Sequence, residues 1–227
     1  MINEPELLAR LTSGNFVTTL HAFERMAERD VSAEDVRSVA RTATECRWQD
    51  ANATWRITGG PEGGERLVLV RSPSHDGPHA RDRSLGKGKD MTTTTYSVRG
   101  IPYLRIVDIP VHDTQWGPAW TLPLADVEKL FATALVRLRV PLRGLELKFL
   151  RKALGLSLAA LGQELGVSDV TVLNWEKAEE KRLDLTTEVT ARAFFAERLS
   201  VPLEGTLTAL RGTDAAPEEP IDLPAAS

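Results

Sequence analysis

The pattern of apolar and polar positions is most regular between residues 157 and 175, in the segment SLAALGQELGVSDVTVLNW. Leu161 and Leu165 stand four residues apart, and Val172 and Trp175 stand three residues apart. Both intervals bring side chains to the same face of an α-helix, because the helix turns once in about 3.6 residues. The pattern therefore predicts two short helices, each with one apolar face turned inward.

Capping residues and glycines indicate where these two helices begin and end. Ser157 and Ser168 precede the two apolar runs and suit helix N-caps, because a serine hydroxyl accepts a hydrogen bond from a first-turn amide. Gly166 stands where the first helix must stop and turn. Gly162 lies midway along that helix, where it costs about 1 kcal/mol relative to alanine. We expect the second helix to cross closely at Gly162.

The first half of the chain shows the same helical spacing in the segment HAFERMAERDVSAEDVRSVARTA, residues 21–43. Ser32 and Asp35 form a capping-box-like start for a second helix within it. Strands are predicted around 53–58 and 66–71, on either side of the turn GGPEGGE. This order predicts an α+β unit of two helices and a small antiparallel sheet. The inward positions of the two helices are Phe23, Met26 and Ala27, then Val36, Val39 and Ala40.

The second half begins with residues 96–111, whose alternation predicts strands. Pro102 and Pro110 confine these strands to short or edge positions, because proline has no amide proton for a sheet ladder. A helix follows with Asp126 near its start. Its predicted inner face consists of Val127, Leu130, Phe131, Ala134, Leu135 and Leu138.

Two further helices flank the segment 157–175. A helix over 145–154 turns Leu147, Leu150 and Leu154 inward. A last helix, capped by Thr186 or Thr187, runs through Leu199 and offers a dimer surface. On the helix over 145–154, the cations available to phosphates are Lys148, Arg151 and Lys152.

The fold class is an α+β unit followed by a mostly α-helical unit with a short β-containing lead-in. The predicted organisation is an α+β domain at 1–72, a flexible basic linker at 73–95, short strands at 96–125, a helical domain at 126–203 and a largely disordered acidic tail at 204–227.

Charge is unevenly distributed along the chain. The whole chain carries a formal net charge of −4, which disfavours nucleic-acid binding. Between Lys129 and Arg182, however, ten Lys and Arg oppose six Asp and Glu, a local balance of +4. Phosphate contact requires only a local basic surface, so the helical domain remains compatible with nucleic acid.

Cysteine usage and hydropathy restrict the class of protein. The single cysteine, Cys46, excludes a disulfide framework or a cysteine zinc site within one chain. No apolar run approaches the roughly 20 residues of a membrane span, and the N-terminus lacks a signal-peptide core. We predict a cytoplasmic protein with no cofactor, no metal and no membrane partner.

The segment 157–175 resembles the helix-turn-helix of the phage-repressor-like (Xre) DNA-binding family. The matching positions are Gly162, Gly166, Leu161, Leu165, Val167, Val172 and Trp175. The resemblance implies base reading by Asp169, Val170 and Asn174, and phosphate contacts by Ser168 and Thr171. Lys177, Lys181 and Arg182 follow the reading helix and suit contacts to the DNA backbone.

Two features qualify this resemblance. Leu158 occupies a position where many relatives place a phosphate-contacting glutamine, so docking can differ in detail. The alternative is a helical hairpin that does not bind DNA. Because one recognition helix reads few base pairs, we expect a homodimer on two half-sites about 34 Å apart in operator DNA.

The first half resembles a small domain family of bacterial toxin-like proteins, distantly similar to the BrnT, RelE and MqsR ribonucleases. The matching residues are His21, Ala22, Arg25, Arg29, Val31, Ser32, Asp35 and Val36. The chemistry that this motif can support is metal-independent RNA cleavage, with His21 as acid or base and Arg25 and Arg29 on a phosphate. The alternative is a solvated helix face whose arginines pair with Glu24 and Glu28.

Strands, a bridging helix and an Xre-like motif together resemble the MqsA-like antitoxins. Those proteins carry a zinc region with paired cysteines, whereas VHDTQWGPAW here has none, so zinc is not carried over. The leading hypothesis is an autorepressing, antitoxin-type transcription regulator fused to a toxin-like domain. The alternatives are a ribonuclease that binds RNA and is restrained by its fused antitoxin, and a regulator whose first domain binds a ligand or protein.

Overall fold

The structure, a computed structural model, describes residues 3–14, 16–29, 31–49, 54–60, 67–71, 92–114, 117–202, 210–212 and 215–225, with the backbone alone at 67–71. Most of the predicted linker 73–95 lies outside the described residues. Its last residues, from Thr93, begin a strand.

Three helices open the chain, where the sequence predicted two. Helix α1 spans Glu4–Thr12, α2 spans Leu20–Glu28 and α3 spans Ala33–Arg41. The unpredicted α1 is capped by Asn3, whose side-chain oxygen accepts a hydrogen bond from the Glu6 amide at 2.9 Å. At α3 the predicted capping box is present, since the Ser32 and Asp35 side chains each bond to the other residue's amide.

The first sheet is three-stranded and antiparallel in the order β1-β2-β3. Its strands are β1 (Glu45–Gln49), β2 (Thr54–Gly59) and β3 (Leu67–Arg71). The predictions placed β2 and β3 and missed β1. Helices α1 and α3 pack with β2 around a small core, consisting of Leu7, Leu11, Val36, Val39, Ala40 and Ile57.

The second sheet is built on one long central strand. Strands β4 (Thr93–Val98), β5 (Ile101–Thr114) and β6 (Gly117–Trp120) form antiparallel pairs. The prediction that proline keeps these strands short or at an edge was wrong for β5, which is 14 residues long and has neighbours on both sides. Pro110 is tolerated because it lies between the segment that pairs with β7 (Ile221–Pro224) and the segment that pairs with β6.

The end of the predicted disordered tail is ordered. Strand β7 runs parallel to β5, with Leu104 opposite Ile221. The Arg105 guanidinium donates two hydrogen bonds to the Asp222 carboxylate, at 2.8 and 2.9 Å. Composition predicted disorder, but the apolar side chains of Ile221 and Leu223 pack against the main core.

The described part of the second half contains five helices with defined bounds: α4 (Leu124–Arg137), α5 (Gly144–Ala153), α6 (Leu158–Leu165), α7 (Asp169–Lys177) and α8 (Leu185–Arg198). The cap of α8 is Asp184, which accepts a bond from the Thr187 amide, and neither Thr186 nor Thr187 is the cap. On α4 the predicted positions Val127, Phe131 and Leu135 are fully buried.

The two predicted halves share a core. Phe23 of α2 packs 4.6 Å from the ring of Trp120 and 5.4 Å from that of Tyr96, both on the second sheet. The N-terminus of α3 contacts α4 and α5, through Ala33 to Glu128 and through Asp35 to Lys152. The N-terminal helices are therefore docked on the second half. In the described part of the chain, no helix is long and apolar enough to cross a membrane.

Candidate DNA interface

The turn between α6 and α7 depends on two glycines. Gly166 ends α6 in the left-handed region at φ +70°, and the Val167 amide donates back to the Gly162 carbonyl at 2.8 Å. This bond closes a Schellman motif, which satisfies a carbonyl that the helix leaves without a partner. A Cβ atom on Gly162 would lie 2.7 Å from the Val167 carbonyl oxygen. The close crossing predicted from the small residue is thus present.

One face of α7 is turned inward and fixes the orientation of the helix. Val172 is fully buried, and Trp175 is half-buried against the main core. Ser168 caps the helix, since its hydroxyl oxygen accepts a hydrogen bond from the Thr171 amide at 3.1 Å. The inner face and the cap together determine which residues face solvent.

The outer face of α7 carries the predicted reading residues. Ser168, Asp169, Val170 and Asn174 are exposed, and Thr171 is half-buried. Val170 is 58% exposed, so its side chain is available for an apolar contact with a partner. Within the described part of the chain the side-chain amide of Asn174 makes no hydrogen bond, so both its NH₂ donor and its oxygen acceptor remain available.

A buried ion pair ties α7 to α5. The Arg151 guanidinium donates to both Glu176 oxygens, at 2.5 and 2.8 Å, and a third bond goes to the Leu156 carbonyl. The side chains are 12% and 5% exposed. Arg151 was predicted to be available to phosphates, as was Lys152. The structure instead gives both a partner, because Lys152 pairs with Asp35.

The three cations after the reading helix occupy different settings. Lys177 and Lys181 are exposed and, within the described residues, have no ion-pair partner. Arg182 donates to the Glu188 carboxylate at 3.1 Å and to the Gly212 carbonyl at 2.6 Å. Its guanidinium is engaged in holding the start of α8, so Lys177 and Lys181 are the two cations of this set that remain free to meet phosphate.

No pattern in the sequence indicated the buried charges that lie behind the candidate interface. Glu188 is fully buried and accepts bonds from Arg182, Arg192 and the amides of Leu142 and Gly212. Arg192 also donates to the carbonyls of Val136, Leu138 and Val140, at the end of α4 and just beyond it. The last carbonyls of a helix have no partner within it, so Arg192 satisfies groups that α4 leaves free. Desolvation by burial lowers the pKa of Arg192, and the Glu188 hydrogen bond opposes that effect. Charged residues in a helix are normally interpreted as surface positions, and no local pattern marked these two.

The residues proposed for RNA cleavage are spaced four residues apart along α2 and its C-cap, Arg29. His21, Arg25 and Arg29 are all exposed, and Arg25 pairs with Glu28 at 2.9 Å. The opposite face of α2 packs on the second sheet through Phe23. Of the helices in this α+β unit, α1 and α3 pack with the small antiparallel sheet. The Arg25 pair is the one suggested by the solvated-face alternative.

Part of the predicted dimer surface on α8 is covered within the chain. The Arg198 guanidinium lies 5.3 Å over the Phe194 ring and pairs with Glu164 of α6 at 2.6 Å.

A comparison with protein families matches residues 147–187 to a model described as Helix-turn-helix. The match begins within α5 and ends in the first turn of α8, so it covers the turn, the reading helix and the connector that follows. No curated protein and no solved structure matches the chain. Residues 147–187 therefore form a helix-turn-helix, and the match supports DNA binding by this segment.

Proposed function

We propose that this chain is a sequence-specific transcription regulator of the antitoxin type, which represses its own promoter and carries a toxin-like domain in the same polypeptide. The observation that carries the proposal is the outer face of α7. It presents an exposed valine and an uncommitted amide beside polar first-turn residues, on a helix fixed from behind by Val172 and the Arg151–Glu176 pair.

The chemistry of that face suits base edges in the major groove. The Asn174 amide can donate to and accept from one adenine, a pairing that neither guanine nor a pyrimidine reproduces. Val170 can cover a thymine methyl group, and Asp169 can accept from cytosine N4. Each of these side chains is exposed, so the face can approach DNA without rearrangement of α7.

Backbone contacts fall to the groups around the reading helix. Lys177 and Lys181 are exposed cations at its end, and Ser168 and Thr171 place hydroxyl groups at its start. Such contacts set the register of the protein on DNA without reading sequence. Because a single motif reads few base pairs, the proposal includes a homodimer on a palindromic operator.

The N-terminal half is proposed as the toxin-like partner held in place. Its helices α2 and α3 contact the second sheet, α4 and α5, so it is anchored to the elements that carry the reading helix. A regulator that stays attached to a toxin-like domain has the operator of its own gene as its natural target.

The test is selection of genomic DNA fragments by the full-length protein, followed by sequencing. The expected result is recovery of one palindromic site in the promoter of the gene itself. Retention of fragments without a common sequence would contradict the proposal.

Two variants then separate reading from backbone contact. Asn174→Ala should cost about 1–3 kcal/mol of operator affinity and leave random DNA unaffected. Lys181→Ala should weaken binding to all sequences and reduce the slope of log K against log salt by about 1. The matched control is Lys129→Ala, the same charge change at an exposed position of α4 outside the helix-turn-helix. Equal losses on operator and random DNA for Asn174→Ala would remove it as a base reader.

A further inference from the structure

The connector between α7 and α8 is held from behind by the first turn of α5. The Gly144 amide donates to the Lys181 carbonyl at 3.2 Å, and the Leu145 amide donates to that of Glu179 at 3.1 Å. The first amides of a helix have no partner within it, and here the connector supplies the acceptors. Gly144 also leaves no room for a side chain, because a Cβ there would overlap the Trp175 carbonyl of α7.

Arg143, directly before α5, joins this contact to the second sheet. Its guanidinium donates to the Glu180 carboxylate at 2.5 Å and to the Gly100 carbonyl at 2.9 Å. It also donates to both oxygens of Glu146, at distances from 2.5 to 3.1 Å. We call Arg143, Glu146, Glu180 and the Gly100 carbonyl the exit clamp.

The hairpin turn between β4 and β5 packs closely against the exit clamp and the first turn of α5. Gly100 has φ +83°, and a Cβ there would overlap the Leu145 side chain. The Tyr103 hydroxyl of β5 donates a hydrogen bond to the Glu146 carboxylate at 3.0 Å. Burial, and then the charge and hydrogen bond of Glu146, raise the pKa of Tyr103, so the phenol stays protonated as a donor. The hairpin turn is therefore linked to the connector through Arg143, which bonds to both the Gly100 carbonyl and Glu180.

We propose that the β4–β5 hairpin positions the exit of the reading helix through Arg143, which makes Arg143 a positioning residue for sequence-specific DNA binding. The inference rests on the proposed function of α7. Two carboxylates already balance the charge of Arg143, so it acts on DNA through the connector that carries Lys181. Docking α7 at a defined angle requires its end to be held as well as its start. Arg151 holds Glu176 near the end of the helix, and Arg143 holds the connector that follows it.

The sharpest test compares two neighbouring carboxylates. Glu180 belongs to the exit clamp, whereas Glu179 contributes only its backbone carbonyl, and both side chains are exposed. Glu180→Gln and Glu179→Gln remove the same charge and should strengthen binding to random DNA alike. Only Glu180→Gln should lower the ratio of operator to random affinity, by about 2- to 30-fold. Equal ratios in the two variants would overturn the proposal.

A second measurement does not depend on DNA. Amide hydrogen exchange at Leu183, whose amide bonds to the Leu142 carbonyl, should quicken in Glu180→Gln and stay unchanged in Glu179→Gln. If the wild-type protein does not distinguish operator from random DNA, the proposed function fails and exchange alone decides the exit clamp. Equal exchange in both variants would then refute it.

Arg143→Gln separates positioning from phosphate contact. If Arg143 is a positioning residue, the variant should lower the ratio of operator to random affinity and leave the slope of log K against log salt unchanged. A slope reduced by about 1 would assign it to a phosphate and overturn the proposal. Because this variant leaves Glu146 buried without its cation, its folding is checked by circular dichroism. If it does not fold, the carboxylate pair decides the question.

Discussion

Glu128 places a carboxylate inside the protein, where the N-terminal half meets the helices. Its side chain is 5% exposed, and its two oxygens accept from the Ala33 amide at 3.1 and 3.3 Å. Burial raises the pKa of Glu128 from 4.5 to about 7, and Asp35 adds to the rise. The Ala33 hydrogen bond, Arg37 and Lys152 act in the opposite direction and offset only part of the desolvation.

The sign of the pH dependence follows from this rise. Between pH 4.5 and about 7 the folded protein holds a proton at Glu128 that the unfolded chain releases, so raising the pH favours unfolding. The contribution is fully present below pH 4.5 and is lost as the pH rises through about 7. At 1.36 kcal/mol for each pKa unit, the difference between the two pKa values corresponds to about 3 kcal/mol of folding stability.

Glu128→Gln should abolish this loss, because the amide stays neutral and its oxygen can still accept from Ala33. In urea unfolding followed by tryptophan fluorescence, the variant and the wild type should be about equally stable near pH 5. At pH 8 the variant should be more stable by about 3 kcal/mol. The control is Glu24→Gln, the same substitution at an exposed position of α2. A difference that stays constant from pH 5 to 8 would refute the reasoning.

Two further predictions concern the helix-turn-helix. Gly162→Ala should lower the free energy of unfolding by about 1–3 kcal/mol despite the better helix propensity of alanine, because the new Cβ would overlap the Val167 carbonyl oxygen. Thermal melting measures the change, and an unchanged or higher Tm would contradict the prediction. Arg151→Met should cost about 3–5 kcal/mol in denaturant unfolding by leaving Glu176 buried without its cation, and Glu176→Met in the same chain should recover most of the loss. No recovery in the double variant would contradict that explanation.

The helix-turn-helix could be predicted because its signals are local. A serine cap, a glycine turn and an apolar repeat lie within 19 residues, and each specifies its own backbone geometry. The orientation of α7 followed from the same pattern, since Val172 faces inward and Asn174 faces out. Local agreement of capping, turn and periodicity is the condition under which a sequence determines a segment by itself.

The rest depends on contacts between distant segments. Ile221 and Leu223 have no helical or long strand pattern of their own, and they become a strand because β5 offers an edge. Glu128, Glu146 and Glu188 looked like surface residues until their distant partners, Ala33, Tyr103 and Leu142, came together with them in space. The spacing of residues within one helix cannot indicate a hydrogen-bond donor that belongs to another element.

The pairing of β5 with β7 also has a consequence for synthesis. Arg105 and its partner Asp222 are 117 residues apart, so this edge of β5 is made long before the strand that covers it. At about 5–20 residues per second on the ribosome, the delay is roughly 6–23 s. The reading helix, which lies between the two strands in the chain, is complete before the second sheet closes. An open strand edge attracts other strands, so the interval before β7 arrives is the period when a nascent chain is most exposed to mispairing with its neighbours.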